Sequence, residues 1–403
     1  MMQPWFEDAK LGIFIHYGIY SVRGISESWY FRFNPLIKYK PYMKQIKSFK
    51  AEKYDADKWG ELFASAGAKY AVLTTKHHDG VALLDTKQSD LSVVKSAPCG
   101  RDLVAPYCDA LRKNGLRVGL YFTQCDWSHP DYSAKNWHPL RYWIDKTFLN
   151  EKKWNNFKKF HREQLKEILG NYGQVDLLWF DGDWERSQKE WDMKGLKEWL
   201  TKLSPKTVIN SRIGSYGDYA TPEQQMPTVR PDGPWEYCMT INDSWGYQPK
   251  DKHFKSPEQI IRIFSNVVCM GGNLLLDVGP KADGTILPEQ ENVLRELGKF
   301  THANEKAIWG TKGVASDAFY GGITVSQDGK TMYCYQYGET DSKVPLFIDE
   351  KYIDEVSVVS NGEKVEFDRD GDKIWMTIPK NAFIHSCAVV EVKLNKTFEE
   401  VQK

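Results

Sequence analysis

One pattern recurs along the first three-quarters of the chain and limits the fold more than any other feature. A short apolar run ends in a polar or aromatic residue, and a stretch of helical period follows. The runs are KLGIFIHYG (10–18), KYAVLTTKHHDG (69–80), LRVGLYFTQCDW (116–127), VDLLWFDG (175–182), TVINSRIG (207–214), PWEYCMTINDSWGY (234–247) and NLLLDVGP (273–280). Runs this continuous read as strands buried on both faces, as in a parallel sheet. Between them, GRDLVAPYCDALRKNG (100–115), NNFKKFHREQLKEILGNYG (155–173) and SPEQIIRIFSNVVCMGG (256–272) are amphipathic and stop at glycine. The last opens on Ser256-Pro257-Glu258, a good helix start. Strands alternating with helices imply parallel βα units. Seven or eight of them point to an α/β fold, an irregular TIM-like (β/α) barrel.

The texture changes after residue 311. Short alternating runs, such as GGITVSQDGKTMYCYQYG and DEVSVVSNGEKVEFDRDGDKIWMTIP, are separated by the turns Gln327-Asp328-Gly329, Asn361-Gly362 and Asp370-Gly371-Asp372. This predicts a C-terminal antiparallel β-sandwich. The expected division is a barrel over 1–311 and a sandwich over 312–403. The sandwich gathers no histidines or acids that point to chemistry and is read as accessory.

Composition sets the remaining bounds. The 54 basic and 54 acidic residues cancel, so nothing resembles a nucleic-acid footprint. The seven cysteines are scattered without a close pair, which argues against a zinc cluster or a disulfide framework. The start, MMQPWFEDAK, lacks the basic and apolar segments of a signal peptide, and no run reaches the roughly 20 residues that span a bilayer. The expectation is a cytoplasmic protein without a membrane partner; a homo-oligomer stays open. Fifteen tryptophans supply broad apolar faces with a polar handle, useful in a core and in a sugar site alike.

In a parallel barrel, catalytic groups sit at the carboxyl ends of strands. Those ends supply His16, His77, His78, Tyr121, Asp126, Trp127, Trp179, Asp181, Arg212 and Glu236. Asp181 stands out, because it closes a run otherwise rich in apolar residues. A plain Asp-Gly turn is the competing reading. Two chemistries fit the set. Glycoside hydrolysis needs two carboxylates, one to attack or activate water and one to protonate the leaving oxygen. Metal-assisted hydrolysis would use His16, His77, His78 and Asp181 as ligands. Adjacent His77 and His78 would point to opposite faces of a strand, which counts against the metal.

The motifs LGIFIHYG, ESWYFRF, TTKHHDGVALLDTKQSDLSVV, GRDLV, LYFTQCDWSHPDY, LLWFDGDW, NSRIG, SWGY and GGNLLLDVGPKADGTI, in this order, resemble the family 29 alpha-L-fucosidases. The resemblance runs from about residue 5 to 310. It implies a retaining double displacement on an irregular barrel, no metal or other cofactor, and a fucosylated glycan as substrate. It places the nucleophile on Asp181 and the fucose pocket on His16, Trp29, His77, His78, Tyr121, Trp179, Arg212 and Trp245. Trp245 suits the apolar edge that carries the C5-methyl group. Some members have Glu directly before the tryptophan of ESWYF. Here Ser28 intervenes after Glu27, so the reach of Glu27 to the sugar stays open.

The acid/base varies in position within the family. The loop SYGDYATPEQQMP (215–227) offers Glu223, in a TPEQ segment similar to that of several members. A loop closing over the pocket would give it a suitable environment. Glu236 is the competitor, and is expected either to line the pocket as a substrate-binding residue or to be paired inside the wall. A glycosidase for another sugar and a catalytically silent fucose-binding protein are the alternatives to a fucosidase.

Overall fold

The computed structural model describes residues 2–32, 39–132 and 150–402. The seven apolar runs form strands β1 (Leu11–Ile15), β2 (Tyr70–Lys76), β3 (Arg117–Thr123), β4 (Leu177–Asp181), β5 (Val208–Ile209), β6 (Glu236–Thr240) and β7 (Asn273–Val278). They join in one curled parallel sheet of order β5-β4-β3-β2-β1-β7-β6. The expected helices lie at Val104–Lys113, Glu151–Asn171 and Pro257–Cys269. Asn150 caps the second through Lys153 N, and Ser256 and Gln259 cap the third reciprocally.

Alternation along each strand divides the core in two. Phe14, Val72, Tyr121, Leu177, Trp179, Val208, Cys238 and Leu275 fill the barrel interior. Their neighbours Ile13, Leu73, Phe122, Phe180, Tyr237 and Leu276 pack outward with the helices. Every one is buried, each contributing about 1.5–3 kcal/mol for the larger apolar side chains. Both faces of the sheet are therefore covered, as a parallel sheet requires.

β5 and β6 do not pair with each other. The segment around residues 219–223 fills the gap as an irregular stave, bridging Asn210 to Tyr219 on one side, and Ala220 to Trp235 and Glu223 to Cys238 on the other. Pro222 has no N–H to give a ladder, but its carbonyl accepts from Cys238 N at 3.1 Å, and Gln224 N donates to the Cys238 carbonyl at 3.0 Å. Glu223 therefore stands on part of the barrel wall. The expected loop closing over the pocket is corrected accordingly.

Beyond the barrel, β8 (Thr311–Val314), β9 (Gly322–Ser326), β10 (Thr331–Tyr337), β12 (Ile353–Val358) and β15 (Cys387–Leu394) form a five-stranded antiparallel sheet. A three-stranded sheet of β11 (Val344–Leu346), β13 (Glu366–Asp370) and β14 (Lys373–Thr377) accompanies it. Met332, Leu346, Ile374, Met376 and Val390 share its apolar core. Thr324 and Tyr335 both donate to the Ala307 carbonyl, at 2.7 and 2.8 Å, and tie this layer to the barrel.

Candidate active site

The carboxyl ends of the strands surround a pocket of 190 Å³ lined by Phe14, His16, Glu27, Trp29, His77, Tyr121, Trp179, Asp181, Trp184, Arg212, Glu223 and Trp245. A larger groove of 1120 Å³ runs outside the barrel beside the helix Ala56–Ser65. It gathers mainly solvated charges, whereas the smaller pocket gathers buried, mutually bonded ones, which is what chemistry needs.

Asp181 is the last residue of β4 and is 9% exposed. Pairing of Tyr121 with Trp179 and of Thr123 with Asp181 sets Tyr121, Trp179 and Asp181 on the inward face. Arg212 Nη1 donates to Asp181 Oδ1 at 2.8 Å, and Tyr121 Oη donates to Oδ2 at 3.0 Å. His78 Nε2 lies 3.5 Å from Oδ2. Burial pushes the carboxyl pKa up, but the Arg212 guanidinium and His78 outweigh it and hold Asp181 well below the usual range. Gly182 follows with φ +82°, and a Cβ there would sit 2.6 Å from Cys125 Sγ. Only glycine lets the chain turn this tightly behind the carboxylate.

Arg212 reaches a second carboxylate. Its Nη2 donates to Glu223 Oε2, and its guanidinium lies 4.9 Å from the centre of the Trp179 ring. One guanidinium fork thus holds both acids at the mouth of one pocket. Glu223 is the more open of the two, with 38% of its side chain exposed against 12% for Asp181.

The histidines are fixed by their Nδ1 atoms. His16 Nδ1 meets Asp277 Oδ1 at 2.6 Å, His77 Nδ1 meets Ser28 Oγ at 2.6 Å, and His78 Nδ1 meets Thr123 Oγ1 at 2.5 Å. Burial lowers the pKa of His16 to about 3 and takes that of His77 well below the ordinary value, so both rings are neutral at pH 7. Among the described residues, no three or more His, Cys, Asp or Glu gather as a metal-holding group.

Several expectations are corrected here. His77 and His78 do not point to opposite faces. β2 ends at Lys76, the chain turns, and the two rings lie 4.2 Å apart. His78 is not on the pocket wall; it is fully buried behind Asp181, packed on Trp29 and Trp127. Of the two expectations for Glu236, pocket lining is the one overturned, and the paired position inside the wall is the one the structure has. Glu236 points inward from β6 beneath the floor, accepting from Tyr70 Oη at 2.5 Å and from Trp179 Nε1 at 2.8 Å. Asp126 and Trp127 also stay off the pocket wall: Asp126 pairs with Lys76 at 3.4 Å, and Trp127 Nε1 donates to Glu185 at 3.0 Å. The other expected site residues reach the pocket.

Phe14 and Trp184 escaped the sequence reading, as did the contact of Asp277 with His16. Phe14 lies two residues before His16 and so shares its strand face, a signal that was legible. Trp184 follows the Gly182 turn, and only the fold shows that it stacks on Trp29, with centroids 5.7 Å apart and planes at 21°. Glu27 lines the pocket after all, accepting from Gly246 N at 2.7 Å beside Trp245.

Glu236 has a pH signature. Burial pushes its carboxyl pKa up from 4.5 to about 7 against its three hydrogen-bond donors, Tyr70, Trp179 and Tyr219. Its protonated form is therefore favoured in the folded state. The associated stability is fully present below the ordinary glutamate pKa and is lost as pH rises through about 7. Glu236→Gln removes this dependence while keeping the shape. Thermal melts should show the stability of wild type, relative to Glu236→Gln, falling by on the order of 3 kcal/mol between about pH 5 and pH 8. Parallel curves for the two proteins would refute the assignment.

The alpha-L-fucosidase family model matches residues 1–306. A plasma alpha-L-fucosidase of Homo sapiens is 32% identical over 341 residues, covering 77% of this chain and 70% of that protein. Among solved structures, alpha-L-fucosidase isoenzyme 1 from Paenibacillus thiaminolyticus superposes with a TM-score of 0.89 at 32% identity, over 97% of this chain and 98% of the other. A GH29 alpha-L-fucosidase from Bacteroides thetaiotaomicron, trapped as a covalent intermediate with 2-fluoro-fucosyl fluoride, has a TM-score of 0.86 at 26% identity, covering 97% and 95%. The cytoplasmic expectation is overturned by these relatives, one of which is a protein of blood plasma, an extracellular fluid. No described helix is long and apolar enough to cross a membrane.

Proposed function

We propose, for a chain that belongs to glycoside hydrolase family 29, the alpha-L-fucosidases, that Asp181 is the nucleophile and Glu223 the acid/base. The activity is that of a retaining exo-alpha-L-fucosidase, which releases terminal fucosyl residues from fucosylated glycans by double displacement. The observation that carries the two roles is the shared guanidinium of Arg212. It bonds both carboxylates at once, which keeps the two acids of a retaining mechanism at one pocket.

In the first step Asp181 Oδ attacks the anomeric carbon from the β face while Glu223 gives its proton to the departing glycosidic oxygen. A β-linked ester forms and the glycosidic bond breaks. In the second step Glu223 takes a proton from water, the water oxygen attacks the same carbon from the α face, and the ester bond to Asp181 breaks. Asp181 is suited to its part because Arg212 keeps it ionised. Glu223 is suited to its part because it stands at the open rim, where an aglycone leaves and water enters. His16, His77 and Arg212 hold sugar hydroxyls, and His78 steadies Asp181 from behind. The catalytic unit spans 1–311, and 312–403 is accessory. Incubation with 2-fluoro-fucosyl fluoride should release the anomeric fluoride and leave one 2-fluoro-fucosyl adduct on the peptide bearing Asp181. An adduct on any other carboxylate overturns the role.

Trp245 packs against His16 at 4.9 Å and Phe14 at 5.9 Å, a largely apolar corner suited to the C5-methyl group. A hydrophobic pocket rejects a substrate that carries one added hydroxyl by about 100-fold. Trp245→Ala should therefore reduce the preference for an aryl alpha-L-fucoside over the 6-hydroxylated alpha-L-galactoside by roughly tenfold or more. An unchanged ratio of the two kcat/KM values places the methyl elsewhere.

A further inference from the structure

The carboxylate of Asp277 lies inside the barrel top and is fully buried, on β7, the strand beside β1. Its Oδ1 is 2.6 Å from His16 Nδ1, while its Oδ2 has no hydrogen-bond partner. His16 closes the neighbouring run, and its backbone N–H is fixed to the Val278 carbonyl at 3.1 Å. Its ring is wedged between Phe14, at 4.5 Å, and Trp245, at 4.9 Å. The ring therefore cannot turn freely, and with Nδ1 taken by Asp277 the nitrogen left for the pocket is Nε2.

Which of the two atoms in the Nδ1–Oδ1 contact carries the hydrogen follows from burial and bond count. An ionised carboxylate in a dry site needs several donors, and Oδ2 has none. A protonated Asp277 needs only an acceptor for its O–H, and His16 Nδ1 is that acceptor. Burial, together with nearby Glu27, outweighs a backbone hydrogen bond from His16 and drives the Asp277 carboxyl well above the usual range, in the same direction. We propose that Asp277 is a positioning residue that donates its carboxyl hydrogen to His16 Nδ1, so that His16 enters the pocket as an Nε2–H donor to a sugar oxygen. The inference rests on reading the pocket as the fucose site.

The test combines kinetics with a spectroscopic signature. Asp277→Leu keeps the branching at Cγ without the hydrogen bond and should lower kcat/KM on an aryl alpha-L-fucoside by about 10–100-fold, the scale of removing the partner that orients a metal-bound histidine. Asp277→Asn can still donate to Nδ1 and should recover most of that loss. His16→Ala should be at least as damaging, and adding Asp277→Leu to it should cost nothing more, because the second residue acts only through the first. In ¹⁵N-histidine spectra, the resonance removed by His16→Ala should report hydrogen on Nε2 and none on Nδ1, in wild type and in Asp277→Asn alike. This readout decides the matter even if Asp277→Leu fails to fold. Additive losses, an Asp277→Asn as impaired as Asp277→Leu, or an Nδ1-protonated ring with bare Nε2 in wild type each overturn the proposal. If His16→Ala itself leaves catalysis intact, the reading of the pocket fails as well, which separates the two claims.

Discussion

Asp181→Ala and Asp181→Gly should lower kcat on an aryl alpha-L-fucoside by about ten-thousand-fold or more, the scale of losing a covalent nucleophile. The fold should survive, since the carboxylate stands at the pocket end of β4 and not within its ladder. Azide should restore part of the turnover by entering the space left on the β face. Its product should be the β-fucosyl azide, inverted relative to the substrate, because only one displacement takes place. Arg212 and His78 would then face a gap where they now meet a carboxylate, at 2.8 and 3.5 Å, and that gap suits a small anion. Near wild-type activity for either variant, or an α-azide as product, removes Asp181 from the role.

The second large effect belongs to Glu223. Its loss should scale with the leaving group. A 2,4-dinitrophenyl fucoside departs without protonation, so the first step should be nearly intact and the second should limit. A natural glycan needs the proton and should slow by on the order of 10²–10⁴-fold. Azide needs no general base, so it should accelerate Glu223→Ala on activated substrates and yield the α-fucosyl azide through two displacements. Glu236→Ala should show neither signature, because Glu236 lies under the floor bonded to Tyr70 and Trp179 and has no path to the leaving oxygen. Should Glu236→Ala give the α-azide and Glu223→Ala not, the two assignments exchange.

The fates of three acids explain how far a sequence reading carries. Asp181 was legible because a carboxylate that ends a buried run is costly to place without use, and the run itself told where the strand would end. Glu223 was legible only through its TPEQ context, and its loop was expected to lie over the pocket. Pro222 breaks the ladder pattern in sequence, yet carbonyl and N–H bonds to Cys238 still hold the segment as a stave in the wall. Asp277 was passed over, since an acid within NLLLDVGP carries no local mark of its partner. That partner, His16, lies 261 residues away and meets it only because β1 and β7 are neighbours.

By itself the sequence determined the class of fold, the succession of strands along the chain and the strand ends that bear polar groups. These follow from periodicity, glycine stops and apolar runs, all local properties of the chain. Only the tertiary structure decided which of those polar groups share a pocket, which lie beneath it, and which carboxylates one arginine joins. Barrel closure sets these matters, because it brings residues distant in the chain within a few ångströms, and burial then sets their protonation.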